Sequence, residues 1–159
     1  FPTRRSSDLV EDKKIVVIPS KSVPQCISAM VEFNDKKSAE ANEKAMNKAI
    51  GRVTSGQLTY AVRDTEIDGI EIKKDDILGM VEGKIVTVGK DIDDVLNRVV
   101  SQMVDEDTEF LNVYYGKEIK KPQADVMLKA LGTKYADDEI EVSFKKGGQP
   151  LYYYIISAE

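Results

Sequence analysis

Residues 91–104 read DIDDVLNRVVSQMV, and this segment decides the fold because its helical pattern is the clearest in the chain. Asp91 is a residue type that caps helices, and the acidic Asp93 and Asp94 suit the positive end of a helix dipole. The apolar residues recur at the three- and four-residue spacing that forms one face of an α-helix. They are Ile92, Val95, Leu96, Val99, Val100, Met103 and Val104. The segment predicts an amphipathic helix.

Strand and helix patterns alternate after this segment. EFLNVYYG (109–116), EIEVSF (139–144) and LYYYIIS (151–157) have the composition of strands. Between the first two, Pro122 begins a predicted helix and Gly132 ends it. The residues expected to face inward are Ala124, Met127, Leu128 and Leu131. A strand, a helix and a strand in that order favour parallel pairing of the two strands.

The region before the segment, about residues 54–89, has the period of short strands. Apolar and polar residues alternate, and Asp68-Gly69 and Glu82-Gly83 mark turns. The strand-like stretches are 57–64, 70–73, 77–81 and 84–88. The region predicts an antiparallel meander. The fold class is therefore α/β: a mixed sheet with flanking helices and an antiparallel β meander between α/β segments.

The first part of the chain predicts one strand and two helices. KIVVIPS (14–20) is typical of a strand that is buried on both faces. A helix follows at Pro24, and a second helix is expected between a cap at Ser38 and an end at Gly51. In the first helix, Val23, Ile27, Met30 and Val31 recur at helical spacing.

Composition excludes several classes of function. The 159 residues are 42% apolar and 32% charged and carry a net charge of -5 without a basic stripe, which argues against a nucleic-acid partner. No run approaches the roughly 18 apolar residues of a membrane span. Because the chain has no histidine, it contains no Ser–His, Cys–His or His–metal site. The single cysteine predicts a reducing, cytoplasmic compartment.

Two loops have the composition of an anion site. Ser20, Lys21 and Ser22 lie between the predicted strand and the start of a helix, where α/β proteins often bind ligands. Gly147 and Gly148 allow a close backbone approach, although they match neither GxGxxG nor a Walker motif. A plain connecting loop is the other interpretation at both places. We predict no catalytic residue and no metal site, since no base accompanies the serines and lysine and the acidic residues of 64–68 lack the later glutamate of a calcium loop.

The same chain has candidate residues for binding a partner. Three consecutive tyrosines cannot all face one side of a strand, so at least one is exposed unless a partner covers it. Charged residues at the end of the strand 57–64 also project where ligands often bind. The candidates are Arg63, Asp64, Asp68, Gly147, Gly148, Gln149, Tyr152, Tyr153 and Tyr154.

Residues 1–9, FPTRRSSDL, match neither a signal peptide nor a regular element. They are the translation of a common sequencing adapter, TTCCCTACACGACGCTCTTCCGATCT. We therefore interpret them as a non-native leader and residues 10–159 as part of a larger protein.

Three segments together resemble the C-terminal region of the kinase component (the A component) of bacterial fatty acid kinase, a dihydroxyacetone-kinase-like protein of the DhaL-containing family. They are VIPSKSVPQCISAM (17–30), SGQLTYAVRDTEIDGIEIKKDDILGM (55–80) and GGQPLYYYIISAE (147–159), and the resemblance extends over about residues 10–159. Family members usually have glycine in place of Cys26 and proline in place of Tyr153.

The resemblance implies a division of labour. An amino-terminal kinase domain, absent here, uses ATP and magnesium to phosphorylate a fatty acid held by a separate DegV-like fatty-acid-binding protein, and the acyl phosphate enters phospholipid synthesis. The intact protein is expected to be a homodimer through the missing regions. This C-terminal domain is expected to be inactive alone and to dock the DegV-like fatty-acid-binding protein. The alternative is a small anion- or ligand-binding α/β domain of a glycerone kinase-like enzyme, built on Ser20, Lys21, Gly147 and Gly148.

Overall fold

The computed structural model describes residues 14–67 and 69–159. They belong to two compact units, one ending at Arg52 and the other running from Val53 to Glu159. The expected leader at 1–9 and the candidate Asp68 lie outside the described residues. None of the helices in the described ranges has the length and hydrophobicity of a transmembrane span.

The described part of the first unit is a pair of packed helices. These are α1 (Val23–Val31) and α2 (Ala39–Ile50). The side chain of Ser22 accepts a hydrogen bond from the Gln25 amide and caps α1, and Ser38 caps α2 in the same way through Ala41. The cap at Ser38 and the end of α2 at Gly51 confirm the sequence predictions.

One prediction for the first unit is wrong. Residues 14–20 form no strand, because no described strand pairs with them, and Ile15 and Val17 are exposed. The helical spacing predicted after Pro24 is confirmed by α1, but the residues of this helix that become buried are Pro24, Gln25 and Ala29. Small Ala29 allows close helix packing, and the larger apolar side chains remain on the outside. The outward-facing apolar residues of α1 are Val23, Ile27, Met30 and Val31.

The second unit is a six-stranded mixed sheet in the order β5-β4-β1-β8-β6-β7, with a separate two-stranded sheet of β2 and β3. The strands are β1 (Thr54–Tyr60), β2 (Thr65–Ile67), β3 (Ile70–Ile72), β4 (Ile77–Val81), β5 (Lys84–Gly89), β6 (Phe110–Tyr115), β7 (Glu141–Lys146) and β8 (Tyr154–Ala158). The helices are α3 (Ile92–Met103) and α4 (Lys121–Lys134).

The pairing pattern confirms the predicted fold class. Strands β6 and β7 are parallel, as the intervening helix α4 predicts. The pairs β1–β4, β4–β5 and β2–β3 are antiparallel, as expected for the meander. The meander is not a series of neighbouring strands in one sheet, because β2 and β3 form a separate two-stranded sheet. The last strand, β8, lies between β1 and β6 and is antiparallel to both.

Several boundaries differ from the sequence predictions. Strand β1 covers Thr54–Tyr60 instead of 57–64, and β7 covers Glu141–Lys146 instead of 139–144. Helix α4 continues through Gly132 to Lys134, because Gly132 does not have the positive φ with which a glycine commonly ends a helix. Strand β8 begins at Tyr154 rather than at residue 151, since the preceding residues form a loop that crosses the ends of the neighbouring strands.

The core of the second unit lies between the sheet and the inner faces of α3 and α4. Asp91 caps α3 through the amide of Asp94, and the predicted apolar face of α3 is buried against Leu58 and the neighbouring strands. Two glycines let the helix come close to the sheet. A Cβ atom at Gly79 would lie 2.4 Å from Val99 Cγ2, and one at Gly56 would lie 2.3 Å from Met103 Sδ. The sheet therefore supplies a surface that fits α3 closely.

Candidate docking surface

The strand directions bring the ends of several strands together at one edge of the sheet. Strands β1 and β6 are each antiparallel to β8, and β7 is parallel to β6. The last residues of β1 and β6 therefore lie beside the first residue of β8, and the last residue of β7 lies next to that of β6. We call this the tyrosine edge, because the rings of Tyr60, at the end of β1, and Tyr153, just before β8, meet there with centroids 6.0 Å apart.

The loop 147–153 is tied to this edge by hydrogen bonds to its backbone. The Tyr153 amide donates to the Leu58 carbonyl over 2.8 Å, and the Thr59 hydroxyl donates to the Leu151 carbonyl over 2.8 Å. On the other side, the Gly116 amide donates to the Tyr153 carbonyl over 2.8 Å. The loop is therefore held between the ends of β1 and β6.

Gly116 is required for this arrangement. A Cβ atom at Gly116 would lie 2.1 Å from the carbonyl oxygen of Tyr152 and 2.8 Å from that of Gln149. Both neighbours are backbone atoms, which cannot move away as the end of a flexible side chain can. The close approach of the two chain segments therefore depends on the absence of a side chain at residue 116.

The amides of the predicted glycine pair form hydrogen bonds within the protein. The amides of Gly147 and Gly148 both donate to the Tyr115 carbonyl, over 3.0 and 3.1 Å, and Gly148 has a positive φ of 70°. The side-chain amide of Gln149 donates to the Tyr114 carbonyl over 2.7 Å. A phosphate-binding loop needs amide hydrogens that point to the ligand. Here those hydrogens orient the loop itself.

Ser20, Lys21 and Ser22 lie in the first unit, apart in the chain from the glycine pair of the second unit. The Lys21 amide donates to the Gln25 side-chain oxygen over 2.8 Å, and the Ser22 hydroxyl oxygen accepts from the Gln25 amide over 3.2 Å. The Ser20 amide donates to the Ile18 carbonyl over 2.9 Å. Of these residues, Ser22 caps α1, and an anion site at the three residues stays a prediction.

The other predicted segment, at Arg63 and Asp64, joins the edge through a turn. The Asp64 carboxylate accepts a hydrogen bond from the Lys74 amide over 2.7 Å, and the Asp75 amide donates to the Ala61 carbonyl over 2.8 Å. Asp75 has a φ of 68°, a left-handed conformation that aspartate tolerates better than most residues. The turn therefore presents Asp75 beside the end of β1.

The buried Asp76 stabilises the same turn. Its carboxylate accepts a hydrogen bond from the Lys73 amide over 2.8 Å and pairs with the ammonium group of Lys90. The hydrogen bond from Lys90, followed by that from the Lys73 backbone, lowers the pKa of Asp76 below its usual range. Asp76 is therefore a structural anchor for its exposed neighbour Asp75.

An open cleft of about 320 Å³ lies at the tyrosine edge. It is lined by Tyr60, Asp75, Lys117, Glu118, Pro150 and Tyr153. Sequence reasoning identified Tyr153 but missed the other five residues. The acidic turn residue and the two tyrosines are far apart along the chain, and only the strand order brings them together.

Burial and the two carboxylates of the cleft raise the pKa of Tyr153. Burial raises the pKa of the Tyr153 hydroxyl most, and Tyr60, Glu118 and Asp75 raise it further. Lys117 and Glu118 form an exposed ion pair with 3.8 Å between Nζ and Oε1. Two carboxylates and one ammonium group therefore surround the ring pair.

The three consecutive tyrosines have different positions. Tyr154 is fully buried in the core, where its ring meets Phe144 edge to face, whereas Tyr152 and Tyr153 are half-buried. Two neighbouring segments carry exposed apolar side chains: Leu151, which precedes Tyr152, is 60% exposed, and Val62, two residues after Tyr60, is 73% exposed. The tyrosine edge therefore has aromatic and aliphatic groups within a charged border. No described residues form a group of three or more metal-ligating side chains.

Comparison with known families identifies the domain. A family model for the C-terminal region of FakA-like proteins, which are fatty acid kinase components, matches residues 4–159. The chain belongs to this family. The resemblance inferred from the three sequence segments is thereby confirmed.

Longer proteins contain similar sequences. Protein YloV of Bacillus subtilis (strain 168) is 43% identical over 150 residues, which cover 94% of this chain and 27% of that protein. An uncharacterized protein of Staphylococcus aureus (strain USA300) is 41% identical over 150 residues, with the same coverage of 94% and 27%. The chain thus spans 27% of the length of these curated relatives.

Proposed function

We propose that this FakA-like C-terminal domain uses the tyrosine edge to dock a DegV-like fatty-acid-binding protein. In the complete protein, a kinase domain with ATP and magnesium would then transfer phosphate to the bound fatty acid and form an acyl phosphate for phospholipid synthesis. The complete protein would act in the cytoplasm as a homodimer through regions outside this chain. The role of this domain is recognition, and we expect no ATP turnover by the chain alone.

The observation that carries the proposal is the composition of the tyrosine edge. Protein interfaces are enriched in aromatic residues at their centre and have a polar border. Tyr60 and Tyr153 supply the aromatic centre, and Leu151 and Val62 supply exposed aliphatic area. The hydrogen bonds of the loop 147–153 hold these groups in place before binding, which lowers the entropy cost of association.

The predicted partner-binding residues fit this proposal to different degrees. Tyr152 and Tyr153 are half-buried at the edge, and Arg63 and Asp64 belong to the exposed segment next to it. Gly147, Gly148 and Gln149 shape the loop through their hydrogen bonds. Tyr154 supports the edge from the core, where it is fully buried. We therefore assign direct contact to Tyr152, Tyr153, Leu151 and Val62.

Isothermal titration calorimetry with the 159-residue chain and a DegV-like fatty-acid-binding protein tests the proposal. We expect saturable binding, and Leu151→Asp should weaken it by about tenfold or more, because a buried unpaired charge is costly at an interface. Val126→Asp is the matched control, since Val126 is 64% exposed on α4 and lies outside the tyrosine edge. Circular dichroism verifies that each variant is folded. Absence of binding by the folded chain, or equal weakening by both variants, would contradict the proposal.

A further inference from the structure

We infer that the cleft lined by Tyr60, Asp75, Glu118 and Tyr153 binds the guanidinium group of an arginine side chain. The cleft itself is a property of this chain, whereas the source of the arginine rests on the proposed function: we assign it to the fatty-acid-binding protein that docks at the tyrosine edge. The inference therefore specifies which chemistry the partner must present.

The two tyrosine rings form suitable walls. Their centroids are 6.0 Å apart and their planes are inclined by 56°, so the rings converge instead of stacking face to face. A cation near the face of an aromatic ring is attracted by the negative charge density of that face. A planar guanidinium group also stacks on a ring, which a compact ammonium group cannot do. The walls therefore favour arginine over lysine.

The charges of the cleft favour a cation. Asp75 and Glu118 contribute two carboxylates, and Lys117 contributes one ammonium group. Asp75 forms no ion pair with any described residue. Within the described ranges, the one ion pair of Glu118 is the exposed pair with Lys117 at 3.8 Å, a kind of contact that contributes little in water. Both carboxylates are therefore available, and an anion would meet more repulsion than attraction.

The position of Asp75 is set before any ligand arrives. Its amide is bound to the Ala61 carbonyl, and the Ala61 amide donates to the Asp76 carbonyl over 2.9 Å. Asp76 is in turn held by Lys73 and Lys90. A left-handed residue with a non-glycine side chain costs free energy, and such conformations recur at binding sites. The bonds of Asp76 offset that cost, and the turn presents a carboxylate at the mouth of the cleft.

Nuclear magnetic resonance titration of the full 159-residue chain tests the site. The probes are the tripeptides acetyl-Gly-Arg-Gly-amide and acetyl-Gly-citrulline-Gly-amide, which have nearly the same shape but differ in charge. We expect saturable shifts of the Tyr60, Asp75 and Tyr153 resonances with the arginine peptide and a several-fold weaker response to the citrulline peptide. Equal responses, or no saturable shift at these residues, would overturn the inference.

Substitutions that keep the shape of the cleft make the test sharper. Asp75→Asn should weaken binding of the arginine peptide by about threefold to tenfold, because asparagine tolerates the left-handed turn but lacks the charge. Lys117→Gln should strengthen it, because this change removes the competing cation. Glu106→Gln is the control, since Glu106 is exposed in the loop before β6, and the cleft lies beyond the other end of that strand. Weaker binding of the arginine peptide to Lys117→Gln would contradict the proposed role of charge in the cleft.

Titrating the same variants with the fatty-acid-binding protein separates the two proposals. If that protein binds the wild-type chain and Asp75→Asn equally, docking stands and the arginine site is not part of it, which overturns the assignment of the arginine to that partner. If the arginine peptide binds but the fatty-acid-binding protein does not, the site stands and the proposed docking function fails. Weaker binding of both ligands to Asp75→Asn supports the two proposals together.

Discussion

Helices α1 and α3 both have an amphipathic sequence, but they have opposite surroundings. In α3, Val95, Leu96, Val99 and Val100 are each 0% exposed. In α1, Ile27 is 40%, Met30 66% and Val31 78% exposed. The difference teaches that periodicity defines an apolar face, whereas burial of that face requires a surface of matching shape. Gly56 and Gly79 create such a surface for α3, whereas the buried residues of α1 are Pro24, Gln25 and Ala29.

The largest expected effect tests this contrast directly. Leu96→Ala should lower the free energy of unfolding by about 2–5 kcal/mol, because it leaves a cavity between α3 and the sheet. Met30→Ala is the counterpart in α1 and should change the free energy by less than about 0.5 kcal/mol, because the side chain is mostly exposed. Urea unfolding followed by circular dichroism measures both. Similar losses for the two variants would show that the face of α1 is covered in solution.

A second prediction, with a smaller expected effect, tests whether the close packing of the second unit extends to the tyrosine edge. Gly116→Ala should lower the free energy of unfolding by about 1–3 kcal/mol, because the added methyl group overlaps backbone atoms. Gly132→Ala is the matched control: a Cβ atom there meets no atom of the described residues within 4 Å, and alanine in a helix should raise the free energy of unfolding by about 0.5–1 kcal/mol. Thermal unfolding of both variants provides the comparison. Tolerance of Gly116→Ala would mean that the loop 147–153 moves freely.

The smallest effect concerns a polar group inside the well-packed core. The Tyr154 hydroxyl is buried and has no hydrogen-bond partner among the described residues. Removing it in Tyr154→Phe should leave the free energy of unfolding at pH 7 unchanged or raise it by about 1 kcal/mol, because a buried hydroxyl without a partner gains little from folding. Urea unfolding at pH 7 is the measurement. A clear loss of stability would indicate a partner for this hydroxyl.

The same substitution has a pH dependence of known sign. Burial, with a contribution from Asp93, raises the pKa of Tyr154, so the folded chain keeps this proton at a pH where the unfolded chain releases it. The associated stability is complete below the ordinary tyrosine pKa of about 10 and is lost as the pH rises towards the folded pKa. Tyr154→Phe should therefore lose less stability than the wild type between about pH 9 and 11. An equal loss of stability with rising pH in the variant and the wild type would contradict a raised pKa for Tyr154.

Local signals predicted much of the second unit. The cap at Asp91, the buried face of α3 and the parallel pairing of β6 and β7 all follow from residue types within one element or its neighbours, and so does the cap at Ser38 in the first unit. The antiparallel meander was predicted for the same reason. Helix α4 was predicted with one boundary error, because Gly132 can occupy a helix as well as end one.

The candidate site was predicted only in part. Tyr153 and the glycine loop stand out in the sequence, and both lie at the tyrosine edge. Tyr60, Asp75 and Glu118 belong to three different segments with no shared motif. Their proximity follows from the position of β8 between β1 and β6, which is a long-range pairing. No local pattern contains that information.

The amino-acid sequence by itself determined the periods, caps and turns of this chain, because these depend on the conformational preferences of neighbouring residues. It also determined the family, because the resemblance rests on the residues of three segments. The tertiary structure decided which apolar faces are buried and which distant side chains share the cleft. Residues 14–20 illustrate the limit, since their β-branched composition favours a strand that has no described neighbour with which to pair. Burial and strand pairing need two surfaces, and the sequence of one segment describes only one of them.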